Sequence, residues 1–463
     1  MSTDDLRVPV EKLSWKCPED FFEFRTTEEL PELEGTIGQE RAVRSMDFGL
    51  GMVENGFNLY LAGETGTGRT SSIMNLLKKR AAAEPHPQDW CYVYNFKNPD
   101  SPTSLSVRVG MGRQLEQDMR ELLQEVRNDI PKALQSKEYE LDKTKFILEN
   151  QERNNQLFTV LEKEAQEKGY ALQRTVSGLV MVPQKEGRNL TQEEYEALPA
   201  EEKERIDSTG NELKGRLADV LSEVRENEKA VKEALAKLDR TLGLSAVGHH
   251  IEPLKKKYAE YPKVIRYLES VQEDILLNLE DFKGAEQQQQ VIPGLRLPTP
   301  QAPSFERYTV NVFVDNMNTV GAPVVYEANP TYNNLFGRID HVMQMGGVGI
   351  TNFTMIKPGA LHRANGGYLI MDAREVLINP FAWEALKRCI RNNKIKIEDV
   401  LEQYRFVTIV SLKPEPVPLK AKIIMIGSPM IYYLLYYLEP EYRKLFKVRA
   451  DFDVRVTRTP DVL

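Results

Sequence analysis

Gly63, Glu64, Thr65, Gly66, Thr67, Gly68, Arg69 and Thr70 constrain this chain more than any other stretch. Their spacing is that of a phosphate-binding loop, G-x-x-x-x-G-K-[ST], with Arg69 in place of the lysine. Such a loop works only between a strand and a helix, because successive backbone N–H groups and a helix N-terminus together cradle phosphate. Both flanks are present. Asn58 to Gly63 is a short apolar run that reads as a strand, and Thr70 to about Ala83 continues as a helix.

Further buried-strand candidates are Cys91 to Phe96, Tyr308 to Val314, Tyr368 to Met371 and Lys422 to Ile426. With the loop strand they make five, alternating with helices. The expected fold class is therefore α/β, a doubly wound parallel sheet with its ligand at the carboxyl ends of the strands.

Between these strands the pattern changes. Leu115, Met119, Leu122 and Val126 recur at helical spacing, as do Leu213, Leu217, Val220, Val224, Val231, Leu235, Leu238 and Leu242, with charged residues between them. The expectation is a long helical coiled-coil insertion whose two helices pair as an antiparallel arm; a bundle packed on the core fits the same pattern. Within it, Ala171 to Thr175 and Leu179 to Val182 around Ser177-Gly178 read as a β-hairpin, and Thr191 with Glu194 as a capping box. The division is then 1–104 for the first part of the α/β core, 105–283 for the arm, 284–305 for a proline-rich linker and 306–463 for the second part.

Composition narrows the function. At 463 residues and 41% hydrophobic content, two or three domains with a sizeable core are expected. The start, MSTDDLRVPVEKL, has no apolar secretion core, and the densest apolar run, IYYLLYYL from Ile431, is far short of a bilayer span. A cytoplasmic protein with no membrane partner is expected. A net charge of −8 argues against a nucleic-acid partner held by its phosphates. Cys17, Cys91 and Cys389 make no C-x-x-C, and the five histidines no H-E-x-x-H.

The chemistry of the loop is altered at two points. Arginine keeps the charge of the missing lysine but is a wider, planar group that prefers fork-shaped contacts. The strand Gly366 to Asp372 offers an aspartate for a metal's water shell, yet Ala373 stands where a glutamate would activate water. Glu375, two residues on, need not point the same way. Nucleotide binding without efficient turnover is the expectation.

Several blocks resemble a known family. Gly38 to Ala42 resembles the entry segment of AAA+ ATPases, and Pro358 to Asp372 resembles the P-G-x-L-x-x-A-x-x-G-x-L-h-h-D-E run of the branch holding magnesium chelatases, minichromosome helicases and Lon-type proteases. YNFKNPDSP (94–102), NPTYNNLFGRID (329–340), FTMIKPGALHRANGGYL (353–369), LKPEPVPLKAKIIMIGSPMIYYLL (412–435) and PEYRKLFKVRADF (440–452) are similar to the AAA+ part of the Lon-related ATP-dependent proteases, including the LonC branch with its degenerate ATPase. The resemblance runs from about residue 7 to 463.

It implies an AAA+ module that assembles a ring, hexameric in the family's pattern, and admits or unfolds damaged protein substrates for a Ser-Lys protease domain in protein quality control. Gly63 to Thr70 would be Walker A, holding ATP or ADP weakly, with Thr70 and Asp372 directed to Mg²⁺. Ser428 would be sensor 1, and Arg443 the arginine finger, with Arg449 as alternative and a surface salt bridge as the plain reading. Met345, Val348 and Phe353 would belong to a pore loop, Met343 to Phe353, against which a core role weighs for each. The protease domain and the helical lid would follow Leu463, so no peptidase activity is expected of this polypeptide.

Rival classes are a non-enzymatic chamber or adaptor stabilised by nucleotide, a chromosome-maintenance coiled-coil ATPase, and an enhancer-binding activator. The second needs a Ser-Gly-Gly signature where this chain has PGALHRANGG, and the third a G-A-F-T-G-A loop where it has GGVGIT.

Overall fold

The computed structural model describes residues 7–14, 16, 24–29, 36–175, 178–185, 188–282, 304–343, 349–398 and 412–456. Helix α1 (Glu40–Gly51) leads into strand β1 (Leu59–Ala62), the phosphate loop and helix α2 (Arg69–Ala82). Strands β2 (Asp89–Val93) and β3 (Thr103–Val107) follow, then helices α3 (Met111–Leu134) and α4 (Lys137–Glu167). A hairpin of β4 (Tyr170–Thr175) and β5 (Gly178–Lys185) precedes the long helix α5 (Ala200–Lys257) and helix α6 (Pro262–Leu277). The remainder holds β6 (Val310–Val314), β7 (Val324–Glu327), β8 (Tyr368–Asp372), helices α7 (Ala373–Ile378) and α8 (Ala382–Asn392), β9 (Lys422–Gly427), helix α9 (Pro429–Leu438) and β10 (Val448–Asp451).

The main sheet is parallel throughout, in the order β10-β1-β9-β8-β7. Its strands are near-continuous apolar runs because both faces are covered, and the two-residue period divides them. Leu59, Leu61, Ile370, Ile424 and Ile426 face α1 and α2, where Met46, Ile73 and Leu77 are buried. Tyr60, Ala62, Leu369, Met371, Ile423 and Met425 face the other way, against Trp383 and Leu386 of α8.

Two of the five expected strands lie elsewhere. The runs at Cys91 and Tyr308 form β2 and β6 of a separate antiparallel sheet, ordered β3-β2-β6. Their places in the parallel sheet are taken by Val324–Glu327 and Val448–Asp451, which were not foreseen. The reason is physical: an apolar run announces burial but not which sheet it joins, and β10 is a four-residue strand containing Arg449 and Asp451. Strand β3 also runs across the expected division at 104/105.

The helical insertion divides its pairing between two helices. Leu115, Met119, Leu122 and Val126 are buried against Cys91, Val93, Leu105 and Val107 of the antiparallel sheet, Val271 and Ile275 of α6 and the C-terminal half of α5, where Leu238 and Leu242 of the second apolar repeat pack on the same cluster. The N-terminal part of the second repeat packs on α4. Leu217, Val220 and Val224 pack with Leu157, Phe158 and Leu161, beneath Leu172, Leu179 and Met181 of the hairpin. Helix α5, 58 residues and roughly 87 Å long at 1.5 Å per residue, runs antiparallel to both α3 and α4. The ladder shows this: Lys168 pairs with Glu212, Asn227 donates to Asn154, Tyr139 to Asp239, and Lys257 to Asp118. The Thr191–Glu194 capping box forms as the sequence indicates. Residues 283–303, most of the expected linker, lie outside the described residues.

Candidate nucleotide site

The parallel register brings the carboxyl ends of four strands together. Ala62 of β1 is level with Gly427 of β9 and Asp451 of β10, and Asp372 of β8 is level with Ile426. Open α/β sheets bind ligands at this edge.

The cradle has the required form. Gly68 (φ +79°) caps α2 in the left-handed region that favours glycine, with no side chain occupying the first amides of this 14-residue helix. Glu64, Thr65, Gly66 and Thr70 are exposed, and the Thr67 hydroxyl braces the loop by donating to the Glu64 carbonyl at 2.8 Å. These amides and the helix terminus suit a phosphate group.

Arg69 points away from an outer phosphate's requirements. Its Nη1 donates to the Gly427 carbonyl at 2.6 Å, and the Gly63 N–H donates to the same oxygen at 3.2 Å. The guanidinium therefore ties the loop to the end of β9. A Cβ on Gly427 would sit 2.1 Å from the Tyr60 hydroxyl, so only glycine allows this approach. That hydroxyl donates to the Ser428 carbonyl at 3.0 Å. Burial, and then the Asp372 charge, push the Tyr60 phenol above its ordinary range, so it stays a donor.

Asp372 caps α7. Its Oδ1 accepts from the backbone N–H groups of Arg374 (2.8 Å) and Glu375 (3.2 Å). Ala373 is fully buried on the sheet face that holds Leu369 and Met371, 3.0 Å from where a Gly427 Cβ would lie. The position that would carry a glutamate is thus a core position. Glu375 sits in the first turn of α7, 3.6 Å from Arg374.

Ser428 is the N-cap of α9, its hydroxyl accepting from the Ile431 N–H at 3.4 Å. Arg443 is exposed, stacked 4.4 Å over Tyr436 and donating to that residue's carbonyl at 3.1 Å. A ring and a carbonyl hold it. Arg449 is clamped within the chain, paired with Asp451 at 2.6 Å and lying over Tyr432 and Tyr433. Phe353, a pore-loop candidate, is 3% exposed and packs with Phe313 and Ile356 beside Tyr94, the core role that weighs against a place in the pore. Met345 and Val348 lie outside the described residues. Tyr60 and Gly427 belong to no nucleotide-binding motif in the sequence; a glycine ending an apolar strand is the signal for the second.

A parallel α/β sheet with this loop and an aspartate-ended strand two places away defines a P-loop protein with an AAA-like fold. Residues 320–453 match the family described as LonB-like, AAA domain, and residues 89–122 match the Lon-like LonC helical domain. Both matched segments are Lon-like. A Lon protease homolog of Escherichia coli (strain K12) is 33% identical over 78 residues, which is 16% of this chain and 12% of that protein's length. The solved structure of NtrX from Brucella abortus covers 28% of this chain and 27% of its own at 20% identity, with a TM-score of 0.19, too low to bear on the fold. The AAA match begins beyond the phosphate loop. AAA domain families bind nucleotide in general, Lon-like proteins typically oligomerise, and no helix among the described residues is long and apolar enough to cross a membrane.

Proposed function

We propose that this chain is the AAA module of a Lon-type protease, assembling a ring that holds ATP or ADP weakly, hydrolyses it little or not at all, and passes unfolded or damaged proteins to a Ser-Lys protease domain. The observation that carries the reading is the pair of altered positions. Arg69 is spent on the Gly427 carbonyl, and Ala373 is a buried methyl where a water-activating carboxylate would be needed. The loop amides that follow Gly63, up to Thr70, would hold the phosphates, and the Thr70 hydroxyl and Asp372 would face a Mg²⁺ ion, which neutralises phosphate charge when bound.

Self-association has an apolar face to use. On α9, Met430, Leu434, Tyr437 and Leu438 are exposed, next to Arg443. A ring in which this face meets a neighbouring copy would put Arg443 at a subunit boundary, as an arginine finger requires. A chamber or adaptor that uses nucleotide only as a structural ligand shares the Ala373 observation and stands as the second reading.

Calorimetric titration of the chain with ATP and ADP in Mg²⁺, with phosphate release measured alongside, tests the site. Saturable binding without turnover is expected, and brisk hydrolysis overturns it. Light scattering tests the ring: Tyr437→Glu should reduce the particle mass, and a native chain that is monomeric at all concentrations overturns assembly through α9.

A further inference from the structure

Away from the nucleotide edge, α3 and α5 bring together Asp129, His249 and His250, one ligand atom from each lying within 4.8 Å of the others. We propose that these three residues bind a divalent transition-metal ion of the zinc class.

The hydrogen-bonding around the two imidazoles is that of a metal site's outer shell. His250 Nδ1 lies 2.8 Å from Glu125 Oε2, and His250 Nε2 lies 3.0 Å from Asp129 Oδ2. If Nδ1–H donates to Glu125, Nε2 turns a lone pair toward a carboxylate oxygen, an arrangement that calls for a positive centre between them. A metal ion supplies it, and the carboxylate–histidine–metal order is the usual one. His249 repeats the device: its Nδ1 lies 3.2 Å from the Ser245 carbonyl, a donor arrangement that leaves Nε2 free to ligate.

The spacing of His250 and Asp129 suits zinc. Bonds of about 2.0–2.1 Å in a tetrahedron hold ligand atoms roughly 3.3 Å apart, close to the 3.0 Å between His250 Nε2 and Asp129 Oδ2. Two imidazoles and one carboxylate favour zinc or its late first-row neighbours over Mg²⁺, which prefers oxygen ligands. Three protein ligands leave a place for water. The ion would cross-link α3 to α5 at the root of the arm, where Lys132 already meets Asp129 at 3.2 Å. His250 is only 14% exposed at its side chain, so the site has a wall as well as a mouth.

The competing arrangement is a doubly protonated His250 donating to both carboxylates, with no metal. Titration of the full chain with Zn²⁺ after chelator treatment, read by calorimetry and by the visible spectrum of a Co²⁺-loaded sample, separates the two. One Zn²⁺ per chain is expected, weakened at least about tenfold by His249→Gln and about 10–100-fold by Glu125→Gln, the positioning residue. His86→Gln, at a histidine remote from the cluster, should leave it unchanged. His249 is exposed, so its variant is expected to fold, and circular dichroism checks that. Absence of saturable Zn²⁺ binding, or binding indifferent to His249→Gln and His250→Gln, overturns the site.

Discussion

The Arg69 guanidinium donates to the Gly427 carbonyl at 2.6 Å, linking the phosphate loop to the strand beside it. An arginine here is a structural tie as well as a charge. Arg69→Lys replaces the fork with a compact ammonium that is free to turn toward phosphate. We expect ADP to bind about tenfold more tightly, about 1.4 kcal/mol, while the loss of a charge-assisted hydrogen bond lowers stability by about 1–2 kcal/mol. Calorimetry and urea unfolding measure the two effects.

Restoring the missing carboxylate should fail. Ala373 is fully buried against the Gly427 end of β9, so Ala373→Glu places a carboxylate in an apolar layer. A loss of about 3 kcal/mol or more is expected, with no gain in phosphate release. A stable variant that hydrolyses ATP would show that the layer opens around position 373.

His362, in the Pro358 to Asp372 run, gives a pH dependence. Burial holds its imidazole down at about 3, against 6.5 for the free side chain. Its folded-state value lies below the unfolded one, so the neutral form stabilises the fold at pH 7, and that contribution is lost as pH falls from 6.5 toward 3. The slope is up to about 1.4 kcal/mol per pH unit, or about 2 kcal/mol by pH 5. His362→Gln keeps an acceptor for the Gly359 N–H, which His362 Nδ1 now accepts at 3.3 Å, but does not titrate. Urea unfolding of both proteins at pH 7 and pH 5 should show the difference.

The arm should respond separately from the sheet. Leu161 is 1% exposed between α4 and α5, in a cluster distinct from those of the parallel sheet. Leu161→Ala should cost about 2–4 kcal/mol locally. Hydrogen exchange would rise in α4 and in the N-terminal half of α5, leaving β1, β8 and β9 protected; equal acceleration everywhere would mean that arm and sheet unfold as one unit.

What the sequence determined by itself was local. The loop spacing with its apolar strand and following helix, the capping box at Thr191 and the hairpin flanks each involve groups within a few residues, and short-range sterics and hydrogen bonding decide them. The Lon-like blocks were legible for the same reason, as runs whose order survives without knowledge of contacts. Tertiary structure decided which strands share a sheet, which helix covers the repeat of α5, and where each charged group points. Arg69 reaches Gly427 across 358 positions of sequence, and Asp129 reaches His250 across 121. No periodicity encodes such meetings, because they depend on how separately formed elements pack once their apolar faces are buried.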